Sequence, residues 1–117
     1  VKEVLKDPLK CSMEFVKRYE NTVLVLKDQH TIICRKDDMY INTAGNHALA
    51  KGGSGDVLCG ILTGLYAQGK EALQAAAAAV YVHACAADEL IQRMDAYSIQ
   101  PGDLIAVLSD TYGKLKR

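Results

Sequence analysis

Within the 117-residue chain, the residues best suited by type and spacing to do chemistry are Lys51-Gly52-Gly53-Ser54-Gly55-Asp56. Glycines let a backbone turn tightly and approach a ligand with no side chain in the way. Val57, Leu58, Ile61, Leu62 and Leu65 follow at helical spacing, which places the glycines at a helix entrance. Unpaired amides at such an entrance point outward, and the helix dipole adds partial positive charge, so the junction suits a phosphate or a developing oxyanion. A carboxylate there would repel a resident phosphate, but it has a use if it takes a proton from a hydroxyl that attacks phosphorus. Asp56 is therefore the candidate general base. The order of residues is not that of a Walker A loop, where Lys and then Ser or Thr follow the last glycine, nor is it GxGxxG. On spacing alone a plainer reading also stands, in which Asp56 favours the positive end of a helix and the glycines form an ordinary turn.

The elements that must position this segment are legible as apolar patterns. Asp7-Pro8 reads as a cap with proline in the first helical position, and Leu9, Met13 and Val16 predict a helix over residues 8–19. Val23-Leu24-Val25-Leu26 and Thr31-Ile32-Ile33-Cys34 read as buried strands, and the second leads across Arg35-Lys36-Asp37-Asp38 to Met39-Tyr40-Ile41-Asn42 as a hairpin. Residues 45–55 have four glycines and no periodicity, which predicts a loop. The helix after it ends at Gly69; a second is predicted over residues 70–93, its central alanines permitting close packing, and a short terminal one follows Pro101-Gly102-Asp103. The predicted order is helix, three strands, glycine loop, three helices. Three short strands and several apolar helices leave apolar surface unpaired, so contact with a missing half of the protein or with another copy, as a homo-oligomer, is expected.

Composition narrows the function classes. A 50% hydrophobic content is sufficient for a core, and fourteen basic against fourteen acidic side chains with no Lys/Arg cluster argue against nucleic-acid binding. The longest apolar stretch, residues 75–82, falls far short of the roughly 20 residues that span a bilayer, so no membrane partner is expected. Cysteines at 11, 34, 59 and 85 are too scattered for a CxxC pair or a zinc site, which favours reduced thiols and the cytoplasm. Acidic residues are not grouped at ligand spacing, so no protein metal site is expected. Lys27 and Lys51 are candidate phosphate-screening cations, whereas His83, in an alanine-rich helix, reads as a packed histidine. The chain opens on Val1 with no signal-peptide pattern, and it reads as an excised piece of a longer protein.

Gly53-Ser54-Gly55-Asp56-Val57-Leu58 resembles the GxGD motif of the ribokinase-like superfamily. More narrowly, Asn42-Thr43-Ala44-Gly45-Asn46, the run Gly52 to Leu58, Gly60-Ile61, Gly64-Leu65 and Ala67-Gln68-Gly69 resemble the ADP-dependent NAD(P)H-hydrate dehydratases, and the likeness continues into Ala75 to His83. It covers about three quarters of the chain. The resemblance implies an α/β fold: the C-terminal half of a ribokinase-like domain over residues 1–117, with short strands including a hairpin, a glycine-rich anion-hole loop and helices. It implies ADP- or ATP-dependent removal of the hydroxyl from hydrated NADH or NADPH by phosphorylation and elimination, with any magnesium arriving on the nucleotide. Asp56 then corresponds to the catalytic aspartate and, with Asn46, to a substrate contact. Gly53, Ser54 and Gly55 correspond to the nucleotide-binding anion hole, and Lys27-Asp28-Gln29-His30-Thr31 to a KGxxT-like nucleotide-binding stretch in which Asp28 replaces the usual glycine. His47, Ala48 and Leu49 replace the usual Pro-Gly-Met, and Lys51 a common threonine. The same superfamily includes kinases of sugars and hydroxymethyl heterocycles, which makes a small-molecule kinase the second expectation. The third is a fragment that only binds nucleotide or mediates assembly.

Overall fold

The computed structural model describes residues 7–27 and 30–115. Helix α1, Pro8–Arg18, starts where Asp7 accepts a hydrogen bond from the Lys10 amide (3.0 Å), with proline in the first turn, and it ends at Tyr19. Strands β1 (Leu24–Leu26), β2 (Thr31–Arg35) and β3 (Asp38–Asn42) form an antiparallel sheet in the order β1-β2-β3. The β2–β3 turn closes with Lys36 at a left-handed φ of 51°. Helices α2 (Ser54–Ala67), α3 (Ala72–Leu90) and α4 (Pro101–Leu115) complete the predicted order.

The continuous apolar strands make sense because both faces of the sheet are covered. Val25 pairs with Ile33, and both side chains join the main core with α2, α3 and α4. Leu24 pairs with Cys34 and Leu26 with Ile32, one step out of phase, and these four pack with Val16 of α1 on the opposite face. Successive strand residues thus feed two cores, as the period of two requires. Helix α3 is the centre of the larger core: Ala75, Ala76, Ala79, Ala86 and Ala87 are buried, and their small side chains let the sheet, α2 and α4 all approach it closely. None of the helices described is long and apolar enough to cross a membrane.

Three boundaries differ from expectation for local reasons. Glu71 caps α3 by accepting from the Leu73 and Gln74 amides (3.2 and 3.3 Å) and meets Arg35 of β2, so the helix starts at Ala72. Residues 47–50 of the expected loop form a 3-10 turn. Helix α4 runs longer than a short terminal helix, continuing through Gly113 to Leu115 with Thr111 buried and its hydroxyl donating to the Val107 carbonyl (3.0 Å). Apolar side chains remain exposed, among them Tyr66, Tyr97 and Ile105.

Candidate active site

Gly53 is the entrance residue of α2 and adopts φ +91°, a left-handed conformation that strains any residue with a Cβ. A Cβ there would also lie 2.9 Å from Cγ of Pro101, the first residue of α4. Two independent constraints therefore require glycine at this position. The first turn is then held by the Gly53 carbonyl, which accepts from the Asp56 and Val57 amides (3.1 and 3.2 Å). The amides of Gly53 and Gly55 have no backbone acceptor among the described residues, as expected of a helix N-terminus available to an anion.

Gly55 faces a cation. A Cβ on it would stand 3.1 Å from Nζ of Lys27, which follows β1. The lysine that follows β1 thus sits against the backbone of the first turn of α2. Asp56 is exposed and borders a recess of about 290 Å³ that it shares with Lys27, Gly55 and Leu58, and on its other side a groove between α2 and α4. The carboxylate is turned outward and its surroundings are open. Ser54 plays another part: it is buried, and its hydroxyl donates to the Leu49 carbonyl (2.8 Å), tying the 3-10 turn to α2.

Lys27, Leu58 and Val80 also form the partition to a larger cavity of about 670 Å³. His30, Thr31, Asn46 and Lys51 line that cavity, so the strand ends and the glycine loop are brought to a common space. Asp28 and Gln29 lie outside the described residues. The Asn46 side chain is already engaged: its oxygen accepts from the Ala48 amide (3.0 Å), and its nitrogen donates to Asp88 (3.0 Å). Lys51 is anchored too, its ammonium donating to the Tyr97 carbonyl.

Asp88 of α3 is a positioning residue that the sequence did not reveal. Its second oxygen accepts from the Gly45 amide (3.0 Å), so one carboxylate clamps two consecutive loop residues. No local pattern announces a partner more than forty positions away; the only signal is the carboxylate pair Asp88-Glu89 at the end of a largely apolar helix. His83, one and a half turns earlier, lines the same cavity. Burial pushes its basicity below the ordinary value of 6.5, the neighbouring Lys27 charge adds to this, and the Ser54 carbonyl opposes it.

Residues 1–109 match the family model for NAD(P)H-hydrate dehydratase. The chain belongs to that family. A bifunctional NAD(P)H-hydrate repair enzyme of Helicobacter pylori is 39% identical over 103 residues, covering 88% of this chain and 22% of that protein. An ADP-dependent (S)-NAD(P)H-hydrate dehydratase of Enterococcus faecalis is 41% identical over 69 residues, or 59% of this chain and 24% of its own length. The ADP/ATP-dependent NAD(P)H-hydrate dehydratase of Bacillus subtilis, solved with ATP and Mg2+, superposes with a TM-score of 0.90 at 31% identity, over 97% of this chain and 42% of that one. A ribokinase-like superfamily protein of E. faecalis superposes with a TM-score of 0.83 at 30% identity. The chain is therefore part of a ribokinase-like α/β fold, and it spans about a fifth to a quarter of the curated NAD(P)H-hydrate dehydratase relatives named here.

Proposed function

We propose that this chain supplies the nucleotide site and the catalytic base for ADP- or ATP-dependent dehydration of hydrated NADH or NADPH. The observation that carries the reading is the convergence at the start of α2. Lys27 and the Gly55 backbone meet there, with an outward-facing carboxylate on the next residue. In this reading, Lys27 and the amides of Gly53 and Gly55 hold the phosphate being transferred and offset the charge that develops on it. Asp56 accepts the proton of the substrate hydroxyl as its oxygen bonds to phosphorus and the bond to the departing nucleotide breaks. The phosphate ester is a far better leaving group than hydroxide, and its elimination gives the reduced nicotinamide and inorganic phosphate. His30 and Thr31 border the larger cavity, where they would flank the rest of the nucleotide.

Mg2+ would arrive with the nucleotide, carried largely by its phosphates. All four cysteines are free, which supports a reducing compartment. The test is Asp56→Asn in the longest polypeptide that contains this chain, with ADP and hydrated NADH supplied. The rate at which reduced-nicotinamide absorbance returns should fall by about 10³-fold, and a variant within twofold of wild type overturns the assignment of the base. Accumulation of a stable phosphate ester without return of that absorbance would identify a small-molecule kinase instead.

A further inference from the structure

His47 opens the 3-10 turn of residues 47–50; its side chain is exposed and lines the 670 Å³ cavity. Tyr97, which is not among the residues lining that cavity, sets its ring against His47, with centroids 5.4 Å apart and planes tilted by 52°. That separation is the one at which two rings attract each other. The backbone under both rings is pinned. Asn46 accepts from the Ala48 amide (3.0 Å), Asp95 accepts from the Tyr97 amide (3.1 Å), and the Lys51 ammonium donates to the Tyr97 carbonyl, which ties one turn to the other. The result is an imidazole braced by a tyrosine at the wall of a cavity, with surface left over for a ligand.

A planar side chain already held in place stacks on a planar heterocycle at little entropic cost. The rest of the cavity suits a ligand with such a ring at one point and negative charge at another. Leu49, Val80 and Ala84 give it an apolar wall, and Lys27, which also sits against Gly55 at the α2 entrance, gives it a cation. Its volume falls within the roughly 300–1,000 Å³ of small-molecule sites. Of the rings the reaction brings together, a hydrated nicotinamide has saturated carbons and is puckered, whereas adenine is flat. We infer that His47, braced by Tyr97, is the stacking residue for the adenine ring of a bound nucleotide. This rests on the nucleotide-site reading above and adds to it the residue that holds the base.

Calorimetric titration of wild type, His47→Ala and His47→Phe with ADP, with NADH and with pyrophosphate tests it, in the longest polypeptide that contains this chain. His47→Ala should bind ADP about tenfold more weakly and pyrophosphate within about twofold of wild type. His47→Phe, flat but unable to hydrogen-bond or carry charge, should stay within about threefold of wild type for ADP. A loss seen with NADH and not with ADP keeps the stacking role and assigns the ring to the dinucleotide. Should His47→Ala not fold, proton spectra of wild type decide: the His47 ring C–H resonances must move as the nucleotide saturates the site and stay in place with pyrophosphate. Unchanged affinity of His47→Ala for both nucleotides, or His47→Phe as weak as His47→Ala, overturns the stacking role while leaving the nucleotide site intact. An equal loss of pyrophosphate binding makes His47 a phosphate contact and overturns it too. Wild type that binds neither ADP nor pyrophosphate overturns both this inference and the reading beneath it.

Discussion

His83 and Glu89 are six residues apart on α3, both nearly sealed from solvent, and the fold treats them in opposite ways. Glu89 is 9% exposed; one oxygen accepts from Arg93 (2.8 Å) and the other from Lys114 of α4 (2.6 Å). Arg93 in turn reaches Asp110 (3.3 Å), so α3 is laced to α4. His83, at 3%, lines the cavity wall and keeps Nε2 sealed from solvent without a hydrogen-bond partner. Where the helix only has to hold its neighbour, its buried polar group is paired; where it forms the cavity wall, one is left unpaired. Between them, Asp88 does both jobs, engaged with the glycine loop and thereby shaping the cavity.

The largest expected effect tests whether the open end is as rigidly built as the closed one. Gly53→Ala puts a Cβ on a residue at φ +91° and 2.9 Å from Pro101. It should destabilise the chain by about 3 kcal/mol and abolish nucleotide binding. Gly52→Ala, with open space around it and no positive φ, should change stability by less than about 0.5 kcal/mol. Urea denaturation of the two variants side by side reads the difference. Equal stabilities would mean that the entrance relaxes easily and does not hold a fixed anion site.

The next effect falls on the clamp. Asp88→Asn replaces one acceptor oxygen with a donor that confronts either the Gly45 amide or the Asn46 side chain, and it should cost about 2 kcal/mol. Nucleotide affinity should fall with it, because the loop that lines the cavity loses its anchor. Stability that drops while affinity is unchanged would reduce Asp88 to part of the scaffold.

This clamp also marks where sequence reading runs out. The strands and the α2 entrance, with Asp56 in its first turn, were legible because each is written locally, in an apolar run, a turn residue or a cap. Continuous runs such as Val23 to Leu26 already carried the message that both sheet faces are buried, although only the pairing shows which side chain serves which core. The 3-10 turn over His47–Ala50 was not legible, since residues 45–55 lack periodicity and their order comes from Asp88, Tyr97 and Pro101, forty or more positions downstream. For the same reason the sequence offered Lys51 as a phosphate-screening cation without showing that its ammonium donates to the Tyr97 carbonyl. His83 read as a packed histidine, and burial bears that out, but an unpartnered nitrogen cannot be seen in a sequence.

The smallest effect is at the closed end, and its sign follows from the Glu89 partners. The hydrogen bond from Lys114 holds the Glu89 carboxyl below its ordinary value of 4.5, burial pushes the other way, and Arg93 adds to the lowering. A carboxyl lowered on folding stabilises the folded state above its unfolded value, and that contribution disappears as pH falls through the folded value. Glu89→Gln should therefore melt below wild type at neutral pH, and the gap should close in the acid range below about pH 4.5. The gap should be small, and smaller still in high salt, because Arg93 and Lys114 are more than half exposed and water screens them. A gap that persists unchanged into acid would mean that Glu89 contributes through packing between α3 and α4, and the contrast with His83 would then no longer rest on charge pairing.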